Sequence, residues 1–163
     1  IVDTLGGVAH HLADQYELQR LGHPFYNSRA AGGEGHLEVA KNIYYSNKDL
    51  AHMVLSLKPF GCMPSTQSDG AQAAVTGHYK DMIYLPVETS GEGEINAHSR
   101  VQMVLFKARQ RARQEYELAL SKTGLTEDEF KRRLDKSWFG RHPFWRPKHK
   151  TAGVVANLVY ALS

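Results

Sequence analysis

The chain holds a single cysteine, and its setting is one in which a thiol can do chemistry. Cys62 stands in Lys58-Pro59-Phe60-Gly61-Cys62-Met63-Pro64-Ser65, after an apolar run and before a stretch rich in hydroxyl and amide groups. A thiolate close to a helix N-terminus is stabilised by the helix dipole and can serve as nucleophile or metal ligand. A lone Cys is equally suited to burial as a small apolar residue at a strand end. The residue types leave both readings open. A complete thiolate metal site would need three more Cys, so any cluster must take ligands from another chain, another domain or an exogenous thiol. Gly61, Ser65, Thr66, Gln67 and Ser68 on one side, and Glu88, Thr89 and Asn96 further on, supply the polar groups of a candidate site.

Other constellations are weaker. The nine His show no His-x-x-x-His or His-Glu-x-x-His spacing, and the adjacent His10 and His11 fall on different faces of a helix. Gly33-Glu34-Gly35-His36-Leu37-Glu38 begins like a dinucleotide fingerprint but lacks the third Gly and a preceding strand. No Walker loop occurs.

The elements that must position Cys62 can be read from periodicity. Val8 to Arg20 reads as a helix with Val8, Leu12 and Tyr16 on one face, ended by Gly22-His23-Pro24. Asn27 to Gly35 reads as a Gly-rich loop, and His36 to Ser46 as a helix with Val39, Ile43 and Tyr44 inward. Met53 to Leu57 is a short apolar run expected as a buried strand, Gly61 to Ser68 a loop of turn-formers, and Asp69 to Tyr79 a short helix. Met82 to Val87 is a second strand, followed by a turn at Thr89 to Gly93.

Strand, helix and strand at this spacing make a βαβ unit with parallel strands. The loops after both strands then share the carboxyl edge of the sheet, where ligands of open α/β sheets bind. The fold class expected is therefore α/β, a small parallel sheet flanked by helices.

A long helix follows, from about Glu94 to Ser121, with Ile95, His98, Val101, Leu105, Ala108, Ala112, Tyr116 and Ala119 on one face. Arg111–Glu115 and Arg113–Glu117 are spaced as ion pairs on the other. Gly124 stops it. Thr126 and Glu129 are placed as a capping box, and Leu125 and Phe130 as a hydrophobic staple, for a helix to about Lys136. Residues 137–150 form an arm that interleaves aromatic and basic residues. Val154 to Leu162 is an apolar helix or strand; periodicity alone does not decide which.

Composition bounds the rest. The chain has 163 residues, 42% hydrophobic and 23% charged, with 14 Gly and 6 Pro, which is the profile of one globular α/β domain spanning 1–163. One Cys excludes an internal disulfide and fits a reducing cytoplasm. No apolar run reaches the ~18 residues of a membrane span, and the N-terminus has no signal-peptide pattern. Because the first residue is Ile rather than Met, either a missing start or a fragment of a longer protein is expected. Charge is uneven: Lys107 to Lys150 holds 13 basic and 6 acidic residues, the remainder 7 and 11. That asymmetry suits an anionic partner or a solvated helical surface. Nucleic-acid binding through the basic region, or a purely structural assembly role, are the alternatives it raises, although no named nucleic-acid motif accompanies it.

Lys58-Pro59-Phe60-Gly61-Cys62-Met63-Pro64-Ser65 resembles the Pro-Phe-Gly/Ala-Cys-Met/Leu-Pro motif of the CoA-substrate-specific enzyme activase-related proteins, relatives of the 2-hydroxyacyl-CoA dehydratases and their activators. Gly33-Glu34-Gly35 resembles the family's upstream Gly-Glu-Gly segment. Asn96-Ala97-His98-Ser99-Arg100-Val101-Gln102-Met103-Val104-Leu105 resembles its Asn-x-x-x-Arg-x-x-x-Met/Leu-Leu segment. The similarity covers about Gly33 to Ala112. It implies a flavodoxin-like half-domain, the C-terminal part of a larger protein, with Cys62 ligating an iron–sulfur cluster. Gly61, Ser65, Gln67, Ser68, Glu88, Asn96 and Arg100 would line the same edge. Its partner would be an ATPase activator domain or a dehydratase subunit, with a homodimer also expected. The chain departs from a complete system in having no actin-like ATPase motif and one Cys.

Overall fold

A computed structural model describes residues 12–30, 33–89, 94–138, 142 and 145–163. In chain order the elements are α1 (Gln15–Gly22), α2 (Gly35–Asn47), β1 (Val54–Pro59), α3 (Met63–His78), β2 (Tyr84–Thr89), α4 (Glu94–Thr123), α5 (Glu127–Lys136) and α6 (Val154–Leu162). The contacts divide the chain into two compact units, one spanning 13–109 and one made of 1–12 with 110–163. Helix α4 supplies residues to both.

In the first unit β1 and β2 are parallel and joined through α3, in the register Val54↔Tyr84 to Pro59↔Thr89. The expected βαβ unit is thus present, flanked by helices and followed by a long helix. Val39 and Ile43 of α2 bury against Val75 of α3, with Leu21, Phe25, Tyr26 and Met82 packed around them. Gly22 lets α1 approach α2: a Cβ there would meet the Ala40 Cβ at 3.0 Å and the His36 carbonyl at 3.2 Å. On the opposite face of the sheet, Leu85 and Val87 bury against Val104 of α4. Leu55 and Leu57, their register partners on β1, stay uncovered, with Leu57 65% exposed. The expectation of a buried strand over Met53 to Leu57 therefore fails at these leucines, because α4 covers only the β2 half of that face.

The second unit is a helical cluster. Ala119, Leu125, Phe130, Ala156 and Val159 form its core. Gly124 takes the left-handed conformation (φ 70°) that ends α4. Thr126 caps α5 by accepting from the Glu129 amide at 3.3 Å. Leu125 and Phe130 meet in the core as the staple predicts. The Glu129 carboxylate takes Arg133 at 2.8 Å. Residues Val154–Leu162, ambiguous in sequence, are helical. Buried Asn157 explains the polar residue in that apolar run. Its Oδ1 accepts from the amides of Lys150 (2.9 Å) and Thr151 (3.0 Å), and its Nδ2 donates to the Thr151 carbonyl (2.8 Å). The end of the arm is thereby tied to α6.

Several expectations are corrected. Helix α1 begins at Gln15, and Leu12 and Tyr16, expected inward, are 93% and 78% exposed; Val8 lies outside the described residues. Leu18 and Gly22 carry the burial instead. On α4, His98 is exposed and Val104, Ala108 and Ala119 are the buried positions; the Ile95 side chain lies outside the description. The strands run two residues further than read, to Pro59 and Thr89. The largest difference is α3, which begins at Met63 rather than Asp69.

Candidate functional site

The early start of α3 changes the setting of Cys62. Gly61 adopts φ 73° and turns the chain out of β1, the Cys62 amide donates to the Pro59 carbonyl at 3.1 Å, and Cys62 becomes the N-cap of a 16-residue helix. Pro64 sits in the first turn, where a missing N–H costs nothing. The Cys62 carbonyl accepts from the Thr66 amide and from Thr66 Oγ1, both at 2.9 Å. The side chain makes no capping hydrogen bond, and the thiol is half-buried.

Residues Ser65, Thr66, Gln67 and Ser68, read as turn-formers, are the first turns of this helix. Their polar groups are largely used within the protein. Ser65 and Ser68, three residues apart on one face, are both buried and each reaches one oxygen of Glu38 at 2.6 Å. Gln67 Oε1 accepts from the Tyr26 hydroxyl at 3.1 Å. Ser65 Oγ also lies 3.4 Å from Cys62 Sγ. A hydroxyl has one proton, and the carboxylate is the stronger acceptor, so Ser65 donates to Glu38 and can accept from the thiol. Cys62, Ser65 and Glu38 thus form a hydrogen-bonded path along which a thiol proton can pass to a carboxylate.

The Gly-Glu-Gly segment at 33–35 closes against this loop. A Cβ on Gly33 (φ 117°) would strike Pro64 at 2.7 Å, and one on Gly35 would strike the Tyr26 hydroxyl at 2.9 Å and the Pro64 carbonyl at 3.0 Å. Only glycine permits this approach, which sets the first turn of α2, and Glu38 with it, beside the first turn of α3. Two of the three segments that carry the resemblance, 33–35 and 58–65, are therefore spatial neighbours.

At the strand ends, Thr89 Oγ1 donates to the Lys58 carbonyl at 3.1 Å. Buried Lys58 pairs through Nζ with Asp69 of α3. Burial pushes the Tyr84 hydroxyl pKa above its ordinary 10.0; the hydrogen bond to Ser56 opposes this, and the carboxylates of Asp69 and Glu38 add to the rise. Glu88 is exposed at the β2 end, in register with Lys58. Asn96 is exposed, and Arg100 donates from Nη2 to the Pro86 carbonyl at 3.1 Å. Arg100 thus braces α4 on β2. The described contacts join Ser65 and Ser68 to the Cys62 group through Glu38, but do not bring Glu88, Asn96 or Arg100 into it. The turn residues Ser90 to Gly93 lie outside the description.

Glu38, Lys58, Asp69 and Tyr84 were not singled out as site residues. The available signal was Ser65-x-x-Ser68 at helical spacing, which puts two hydroxyls on one face and requires an acceptor there.

Much of the basic region is occupied structurally. Arg133 donates to the Leu162 carbonyl at 2.8 Å, Lys131 pairs with Glu127 at 2.7 Å, and Lys150 lies 4.6 Å over the Tyr160 ring. Trp138 is exposed and Trp145 half-buried; Phe139 to Arg141, Pro143 and Phe144 lie outside the description.

Among the described residues no three His, Cys, Asp or Glu side chains gather as a metal site. The donor set does not fit a whole iron–sulfur cluster held by these residues, whereas Cys62 fits as one thiolate among ligands supplied from elsewhere. No helix among the described residues is long and apolar enough to cross a membrane. The chain matches no family model, no curated protein and no solved structure.

Proposed function

We propose that the chain is an accessory, activase-related component of a 2-hydroxyacyl-CoA dehydratase-type system, working in the cytoplasm. Cys62 contributes one thiolate to an iron–sulfur cluster whose other ligands come from an ATPase activator domain, a dehydratase subunit or a second copy. The observation that supports this most is the path from Cys62 Sγ through Ser65 Oγ to Glu38. A thiol must lose its proton to become a ligand, and metal binding releases that proton. Glu38 is placed to take it through one hydroxyl. The position of Cys62, at the carboxyl end of β1 and the start of α3, is where an open α/β sheet presents ligands.

The test is anaerobic reconstitution of the full protein with iron and sulfide, with and without its partner. The expected result is cluster absorbance that falls in Cys62→Ser and forms more slowly in Glu38→Gln. No absorbance under any combination, or full absorbance in Cys62→Ser, overturns the ligand role.

A further inference from the structure

A second site lies away from Cys62, at the C-terminal end of α1. The last turn of that helix and the loop after it flank an open concavity of about 640 Å³ on the surface. Arg20, His23 and Arg29 line it, together with Gln19, Asn27 and Ser28. Among the described residues no acidic side chain does. The nearest carboxylate on α1, Glu17, is engaged by Lys48 at 2.7 Å. Neither Arg20 nor Arg29 has a side-chain partner among the described residues.

The wall is internally braced. Gln19 Nε2 donates to Ser28 Oγ at 3.2 Å, and His23 Nδ1 lies 3.0 Å from the same oxygen. The Nδ1 contact with Ser28 orients the ring and leaves Nε2 unengaged among the described residues. Asn27 Oδ1 accepts from the Arg29 amide at 3.0 Å and its carbonyl from the Ala30 amide at 3.0 Å, which fixes the loop that carries Arg29.

A basic residue at a helix C-terminus commonly answers the exposed carbonyls of the last turn. Here two of those acceptors are already used: the Gln19 carbonyl takes the His23 amide, and the Gly22 carbonyl takes the amides of Phe25 and Tyr26. Among the described residues neither the Arg20 nor the Arg29 side chain is drawn onto the carbonyls of the last turn. Two guanidiniums and an imidazole donor around one concavity, without a counter-charge, match a compact dianion.

We infer that this concavity binds the phosphate group of a small phosphorylated molecule, held by Arg20 and Arg29 with His23 as a third donor. The inference stands independently of the role given to Cys62.

The experiment is titration calorimetry of the full chain with inorganic phosphate and with pyrophosphate, at fixed ionic strength set with chloride. Binding with a Kd near or below about 1 mM is expected. Arg20→Ala and Arg29→Ala should each weaken it by about tenfold, the scale of one charge-assisted hydrogen bond. The exposed control Lys41→Ala should leave it unchanged, and circular dichroism should show each variant folded. Three results would overturn the inference. One is no heat with either probe. Another is binding unaffected by both arginine variants. The third is binding abolished instead by Lys131→Ala with Arg132→Ala, which would place it on the basic helical region.

Discussion

The two units bury polar groups in different ways. In the sheet unit Asn42, Lys58, Ser65, Ser68 and Gln72 are all buried. Two of these have unmet capacity among the described residues: Asn42 donates to Gln72 at 2.7 Å, yet Asn42 Oδ1 and Gln72 Nε2 find no partner there, and neither does Nδ1 of the half-buried His36. In the helical unit Asn157 is the buried polar side chain among the described residues, and both ends of its amide are used. Burying polar groups costs free energy even when they are paired. The helical unit spends only what closing the arm onto α6 requires. The sheet unit buries more polar side chains, on α2, α3 and the end of β1.

The strongest way to sharpen this contrast is to damage the helical core. Phe130→Ala removes a buried ring beside Tyr116 (centroids 6.0 Å apart) and should cost about 3–5 kcal/mol, read as a lower denaturant midpoint. The rate of Cys62 alkylation in the native protein should not change. A large rise in that rate would mean the units do not behave independently.

Next in size is Glu38→Ala. It leaves the buried Ser65 hydroxyl without its carboxylate, while Ser68 keeps the Ser65 carbonyl at 2.9 Å, and should cost about 1–3 kcal/mol. Unlike Phe130→Ala, it should also alter the pH profile of Cys62 alkylation. An unchanged profile breaks the proposed proton path while leaving the packing role intact.

The amides allow a direct comparison. Asn157→Ala strands two amides and a carbonyl and should cost about 1–3 kcal/mol, with faster proteolysis around 145–153. The double change Asn42→Leu with Gln72→Met removes a pair that is only half satisfied. It should be neutral or stabilising by up to ~1 kcal/mol, because the orphaned atoms leave with it. If the double change costs as much as Asn157→Ala, the contrast between the units is wrong.

The smallest effect concerns pH. The Tyr84 pKa is raised in the folded chain, so the native state holds its phenolic proton more tightly than the unfolded state. The contribution is fully present below the ordinary value of 10.0 and is lost as pH rises from there through the folded pKa. Stability should fall more steeply above pH 10 in the native sequence than in Tyr84→Phe. Equal slopes would remove burial as the cause.

Local signals were read correctly where the cause is local. The Thr126 cap, the Leu125–Phe130 staple and the Gly124 stop depend on residues a few positions apart, and each appears as expected. The parallel pairing of β1 and β2 followed from the length of the connection between them, which a hairpin does not need. The start of α3 was missed because Ser, Thr and Asn-like residues favour turns by bonding to nearby backbone. Here Ser65 and Ser68 also bond to Glu38, 27 and 30 residues earlier in the chain, and the local bonds of Ser68 and Thr66 go to the carbonyls three and four residues back, which a helix accommodates. Leu12 and Tyr16 have helical spacing, but burial depends on what lies opposite, and α1 meets α2 along Leu18 and Gly22.

The sequence by itself therefore determined the order of the elements, the parallel strand pair and the placement of Cys62 at the carboxyl end of β1. These depend on periodicity, turn chemistry and connection length, all of which act over a few residues or one crossover. Only the tertiary structure decided what faces the thiol. The approach of Gly33 and Gly35 to Pro64, the grip of Glu38 on Ser65 and Ser68, and the pairing of Lys58 with Asp69 arise from packing between elements, and spacing along the chain does not encode them.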